Sequence, residues 1–211
     1  MSSRDKASAT WRQLALAGSL TDLDRAIATF EQEEQSTPSH HSSRAEALTT
    51  LGIALATRFE RVGRTGDLSR AIDAHVQALA VFRELGDRNS EGQALNNLAL
   101  ALRQARRFEE AIDAHVQALA VFRELGDRNS EGQALNNLGT MLSEVGRRQE
   151  ALETAAEAVE IRRRLAADNA AAYEPDLAMS LNNLGTMLSE VGRRQEALET
   201  AAEAVEIRRR L

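Results

Sequence analysis

The sequence predicts an all-α fold, a solenoid of helical hairpins, and three observations carry that expectation. Ala71–Leu98 (AIDAHVQALAVFRELGDRNSEGQALNNL) recurs without a change at Ala111–Leu138, a 28-residue block copied at an offset of 40. Leu135–Leu165 (LNNLGTMLSEVGRRQEALETAAEAVEIRRRL) recurs identically at Leu181–Leu211, 31 residues at an offset of 46. Each such period holds two runs of helical periodicity, and a hairpin of that size buries its apolar stripe only against a neighbour. The composition agrees: aromatics are 3% of the chain, there are two prolines, and Ala, Leu, Glu and Arg dominate, which are strong helix formers.

The same composition bounds function. Cysteine is absent, so disulfides and thiolate zinc sites are excluded. Nothing at the N-terminus joins a basic start to a long apolar run, and no stretch approaches the roughly 20 apolar residues of a bilayer span. A cytoplasmic location is expected. A net charge of −6 argues against a polyanion partner unless the arginines cluster on one face, and neither a nucleic-acid nor a membrane partner is expected.

Taken in order, the first helical pair is irregular, about Ser8–Ala17 and Thr21–Gln35, with Thr21 and Asp24 as its capping pair. It occupies residues 1–36, and a polar linker follows at 37–43, containing Pro38, His40 and His41. Four hairpins then fill 44–211, at 44–86, 87–126, 127–167 and 174–211. Their helices are expected at Ser43–Val62 with Asp67–Leu85, Asn89–Ala105 with Arg107–Leu125, Asn129–Val145 with Arg147–Leu165, and Pro175–Val191 with Arg193–Leu211. Leu95, Leu98 and Leu102 fall on one helical face, as do Ala111, Ala114, Ala118 and Val121. Gly86 is placed to end a helix, and Asp87 or Asn89 to cap the next. The excess of the second period sits in Ala166–Glu174, expected as a loop, with Pro175 at the first helical position. At the far end, Ala197, Leu198, Ala201, Ala204 and Val205 face no neighbour within the sequence. Either a truncation or stacking on another copy is expected there, the latter as an end-to-end homodimer through the last helix.

In register, the first helices of the four hairpins read Leu48, Leu51, Gly52, Leu55; Leu95, Leu98, Ala99, Leu102; Leu135, Leu138, Gly139, Leu142; and Leu181, Leu184, Gly185, Leu188. The second helices carry Ala71, Ala111, Ala151 and Ala197, each with a second alanine seven residues on. This pattern resembles the tetratricopeptide repeat over about Arg44–Leu211. The units exceed that family's usual length and lack its closing proline, and leucine stands where an aromatic is usual. In those respects, and in the LNNLA and LNNLG strings, they are similar to the repeats of kinesin light chains and cell-polarity adaptors. Arg58–Ile72 (RFERVGRTGDLSRAI) resembles repeats that accompany bacterial signalling NTPases and caspase-like proteins.

The resemblance implies a right-handed superhelix with first helices lining the concave side. It also implies a protein or peptide partner. The groove residues expected on that reading are Asn96, Asn97 and Arg103, then Asn136, Asn137 and Thr140, then Asn182, Asn183 and Thr186, with Ser143, Glu144, Ser189 and Glu190 on the same face. Asn is a mediocre helix former, yet three successive units place two of them mid-helix. A carboxamide donates and accepts, so a column of them suits an extended backbone. The alternatives stay open: the pairs bond across neighbouring helices, or persist because the units are recent copies.

Other candidates read as structure. His75 and His115 lie one per unit, without the second ligand on one turn that a helical metal pair needs. His40 and His41 read as a solvated loop, and Arg162–Arg164 and Arg208–Arg210 as solvated helix ends favoured by the dipole. There is no phosphate-cradling loop, nucleophile motif or carboxylate pair with a pocket signature, so no enzyme, metal or cofactor is expected. The positions that hold a carboxylate tail in chaperone-binding relatives are Thr49, Ile53, Ala56 and Thr57 here, with Arg103 the only groove cation. Acidic chaperone tails are therefore not the expected ligand. The function expected is a non-catalytic scaffold for a partner segment, with a regulatory or self-associating spacer arm of a larger bacterial signalling protein as the rival.

Overall fold

The computed structural model describes residues 19–38 and 41–211. Among them are α1 (Leu20–Ser36), α2 (Ser42–Val62), α3 (Thr65–Leu85), α4 (Arg88–Gln104), α5 (Phe108–Leu125), α6 (Arg128–Glu144), α7 (Arg148–Asp168), α8 (Ala170–Glu190) and α9 (Arg194–Arg210). No strand interrupts them among the described residues. The expected helix at Ser8–Ala17 lies outside the described residues. No helix among the described residues is long and apolar enough to cross a membrane.

The chain forms two compact units, Met1–Arg107 and Phe108–Leu211. In the first, α1 packs on α2, α2 on α3, and α3 on α4. Leu23 and Ile27 of α1 join Leu51, Ala54 and Leu55 of α2 and Ala71 of α3 in one apolar cluster. In the second unit α5, α6, α7, α8 and α9 pack in succession, and α6 also touches α8. Val159 of α7, Leu177, Ala178 and Leu181 of α8, and Ala204 and Ile207 of α9 share a cluster there. The small residues in register do what they imply. A Cβ on Gly139 would stand 3.4 Å from the Ala151 carbonyl oxygen, and one on Gly185 3.5 Å from that of Ala197, so each pair of helices meets backbone to backbone.

Local chemistry sets the helix ends. Ser19 and Asp22 form a reciprocal capping box on α1, displacing the expected pair Thr21 and Asp24. Asp24 instead reaches Arg58. Asp87 accepts from the Ser90 amide and Asp127 from the Ser130 amide, each at 3.0 Å, so Asp87 and not Asn89 is the cap. His41 caps α2, its Nδ1 accepting from the Ser43 amide at 3.3 Å, which corrects its reading as a free loop residue. His40 lies outside the described residues.

The largest departure concerns the extra six residues of the long period. Ala166–Glu174 is helical apart from Asn169, which ends α7 and caps α8 through the Ala172 amide. The insertion lengthens two helices instead of forming a loop, because its Ala-rich sequence extends a helix more readily than it breaks one. Pro175 consequently lies inside α8. Within the second turn of the helix, it removes a single backbone bond near an end where few are yet made.

Among the described residues, one non-glycine position lies in the left-handed region. Arg106 has φ of 60° in the turn after α4, where the corresponding turns after α6 and α8 hold Gly146 and Gly192 at 80° and 82°. A Cβ in the left-handed region meets the neighbouring carbonyl, and glycine avoids that contact. Arg106→Gly should therefore raise stability by about 1 kcal/mol, measured by urea titration. A loss of stability would contradict this account.

Candidate interaction surface

Three leucines on each first helix turn inward and leave an adjoining polar stripe. In the first unit, Leu95, Leu98 and Leu102 are buried while Asn96, Asn97 and Arg103 on α4 are half-buried. Gln104 of α4 also reaches across to Glu60 of α2 through its side-chain amide. In the second unit, Leu135, Leu138 and Leu142 are buried on α6, and Asn137 and Thr140 are half-buried. On α8, Asn182 and Thr186 are exposed and Asn183 is half-buried.

The structure brings two of these asparagines together. Asn183 Nδ2 donates to Asn136 Oδ1 at 3.2 Å, and Asn136 is buried. Bonding across neighbouring helices, one of the open alternatives, thus accounts for this pair, and Asn136 is not on an open face. Ser143 Oγ donates to a Glu190 carboxylate oxygen at 2.6 Å, a second bridge from α6 to α8. Thr140 and Thr186 turn their hydroxyls to their own helices, donating to the carbonyls of Asn136 and Asn182 at 3.0 and 3.1 Å.

Polar groups that sequence reasoning passed over are buried at the helix junctions. Glu131 accepts from Arg123 Nε at 3.0 Å and from Arg128 Nη1 at 2.6 Å, joining the end of α5 to the start of α6. Glu91 receives Arg83 and Arg88 in the same way in the first unit. Arg58 grips both carboxylate oxygens of Asp67 at 2.7 Å and reaches Asp24 at 2.5 Å, tying α1, α2 and α3 together. That fork holds the Asp67 carboxyl below the usual carboxylate range and raises the guanidinium. The signal was available: Arg58 and Asp67 both stand inside the stretch that resembles the bacterial signalling repeats.

The arginine runs are not uniformly solvated, contrary to expectation. Arg162 is 3% exposed, lies beside Gly132, and pairs with Asn129 and with Asp176 at 3.2 Å. Burial pushes its guanidinium down, with Asp176 opposing. Its duplicate Arg208 is exposed. The same contrast runs along the whole duplicated segment. Leu152 is 5% exposed and its copy Leu198 67%, while Val159 and Val205 are 2% and 43% exposed. Ala197 is half-buried and Ala201 exposed, but Ala204 is buried against α8, so it does not belong to the open stripe.

Architecture and composition together define a helical-repeat protein, an all-α solenoid of hairpins. The sequence matches the tetratricopeptide repeat over residues 63–124 and 90–164, and again over 177–211; the chain belongs to that family. Among solved structures it is similar to BtubC (BKLC) from P. vanneervenii, at 22% identity and a TM-score of 0.80 over 97% of this chain and 79% of that one. It is similar also to a Podosopora anserina chain described as a kinesin light chain with nearly identical TPR-like repeats, at 20% identity and 0.74 over 97% and 94%. A Rap protein complexed with Competence and Sporulation Factor matches at 16% identity and 0.71, over 94% of this chain and 50% of that one. No curated protein matches the sequence.

Two expectations follow from these environments. Leu152→Ala removes a buried side chain and should cost about 2–5 kcal/mol, whereas Leu198→Ala, the same substitution in the same local sequence, should cost less than about 0.5 kcal/mol. Equal losses in chemical denaturation would show that both copies are covered.

His75 is buried against Gly52, whose Cβ, if present, would stand 2.5–2.9 Å from the imidazole. Burial pushes its pKa down to about 4. The unfolded chain takes up a proton near pH 6.5 that the folded chain refuses. Stability from the neutral ring is thus complete above that pH and falls as pH drops toward 4, at roughly 1.4 kcal/mol per pH unit. His75→Gln should remove one proton's worth of this slope, read from denaturation midpoints between those pH values. An unchanged slope would refute the assignment.

Proposed function

We propose that the chain is a non-catalytic scaffold that holds an extended segment of a partner protein along the polar face of its first helices, in the cytoplasm. Asn96, Asn97 and Arg103 contribute in one unit, and Asn137, Thr140, Asn182, Asn183 and Thr186 in the other, with Asn136 acting through Asn183. The observation that carries this reading is the placement of carboxamides at the edge of a buried leucine stripe, on α4 in one unit and on α6 and α8 in the other. A carboxamide there offers both a donor and an acceptor to a passing backbone. The tetratricopeptide family supports it, and so does the Rap relative seen with a bound factor.

A second reading, a regulatory or self-associating arm of a larger bacterial signalling protein, draws on the exposed Leu198 and Val205 of α9. The two separate by experiment. Segments selected from a displayed peptide library on the intact chain should lose about tenfold or more in affinity for Asn97→Ala/Asn137→Ala, by roughly 1.4 kcal/mol, with the melting temperature unchanged. Affinities indifferent to both substitutions would remove these residues from the interface and leave the arm as the better reading.

A further inference from the structure

Two identical segments in different surroundings reveal what this face is built to hold. Over Leu135–Leu165, α8 lies across the pair α6 and α7. It makes three contacts spaced i, i+4, i+7 along one helical face. The Asn183 amide donates to Asn136 at 3.2 Å; the Met187 methyl stands 3.5 Å from where a Cβ of Gly139 would be; and the Glu190 carboxylate accepts from Ser143 at 2.6 Å. Beneath them Leu152, Ala155 and Val159 are buried.

Over the copy, Leu181–Leu211, the same receivers are Asn182, Gly185 and Ser189. They converge on a hollow of about 400 Å3, floored by Ala197, Leu198 and Ala201 of α9. Thr186 and Arg194 complete its lining. Each of these three receivers is present in the second copy; Asn182 and Ser189 are exposed, and Gly185, itself buried, lines the hollow between them.

We propose that the face formed by α8 and α9 binds an amphipathic helix that presents a carboxamide, a long flexible apolar side chain and a carboxylate at i, i+4 and i+7. The carboxamide bonds Asn182, the apolar chain settles over Gly185 and against Leu198, and the carboxylate accepts from Ser189. This occupant fits better than a second copy of α9 in a two-fold dimer. Such a dimer covers Leu198 and Val205, but the one carboxamide of α9, Gln195, has Glu199 four residues on, so α9 does not reproduce the set that α8 presents to Asn136, Gly139 and Ser143. The site shares Asn182 and Thr186 with the extended-segment reading, whereas Leu198 lies outside that reading, so Leu198→Glu tests the helix site and Asn97→Ala/Asn137→Ala the other.

The probe is a synthetic labelled peptide of residues 169–191, the chain's own α8 with its caps, titrated against the full chain by fluorescence anisotropy. Saturable binding is expected. Met187→Glu in the peptide and Leu198→Glu in the protein should each weaken it about tenfold or more, while Leu85→Glu, an exposed leucine of the first unit, should leave it unchanged. A double-mutant cycle between Ser189→Ala in the protein and Glu190→Gln in the peptide should show coupling between the two sites. Circular dichroism of Leu198→Glu should match the parent, since the side chain is exposed. No saturation by about 1 mM peptide overturns the proposal. Binding that survives Leu198→Glu means that the peptide displaces the chain's own α8, and overturns it too. Sedimentation showing a dimer that Leu198→Glu abolishes, with no peptide binding, makes a second copy the occupant and likewise overturns it.

Discussion

Everything in this protein depends on lateral cover: a pair of helices held together at glycine and alanine contacts has an apolar stripe left over, and the following helix must bury it. Leu135–Leu165 and Leu181–Leu211 isolate that constraint, because their sequences are the same and only the cover differs. Under α8, Leu152 and Val159 leave water; on α9, Leu198 and Val205 remain in it. Complete burial of such a side chain stabilises by about 1.5–3 kcal/mol, so an internal hairpin owes much of its stability to a neighbour. The small residues make this economical, since backbones that touch leave only a shallow seam for the next helix to close.

Polar groups then decide register. A leucine stripe alone tolerates sliding by a turn, whereas the Glu131 carboxylate, buried between Arg123 and Arg128, has only one position in which both guanidinium groups reach it. Asn136 with Asn183, and Ser143 with Glu190, do the same between α6 and α8. Buried ion pairs recover little net free energy after desolvation; their value here is in specifying one alignment among several apolar ones. Arg58 does so in the first unit, where α1 departs from the repeat pattern and lacks the duplicated contacts.

The same division shapes the surfaces. Side chains at the edge of a first helix face either a neighbouring helix or solvent, according to whether a further hairpin covers them. Asn136 is a register device because α8 lies over it, while its copy Asn182 is exposed. Duplication thus leaves an internal packing motif exposed in its second copy without changing a residue.

The sequence by itself determined the helical class, the hairpin period, the inward leucines and the glycine and alanine contacts. Each of these follows from local periodicity or from steric demands within one hairpin. Tertiary structure decided the rest. Ala166–Glu174 became helix because both flanking helices were already propagating, and adding residues to an existing helix costs less than nucleating a turn. Arg162 went inside and Arg208 stayed outside, though an identical run surrounds both. Which asparagine bonds to a neighbour and which meets solvent is likewise invisible in a verbatim repeat, because burial is a property of what lies across a face, and a linear sequence carries no record of it.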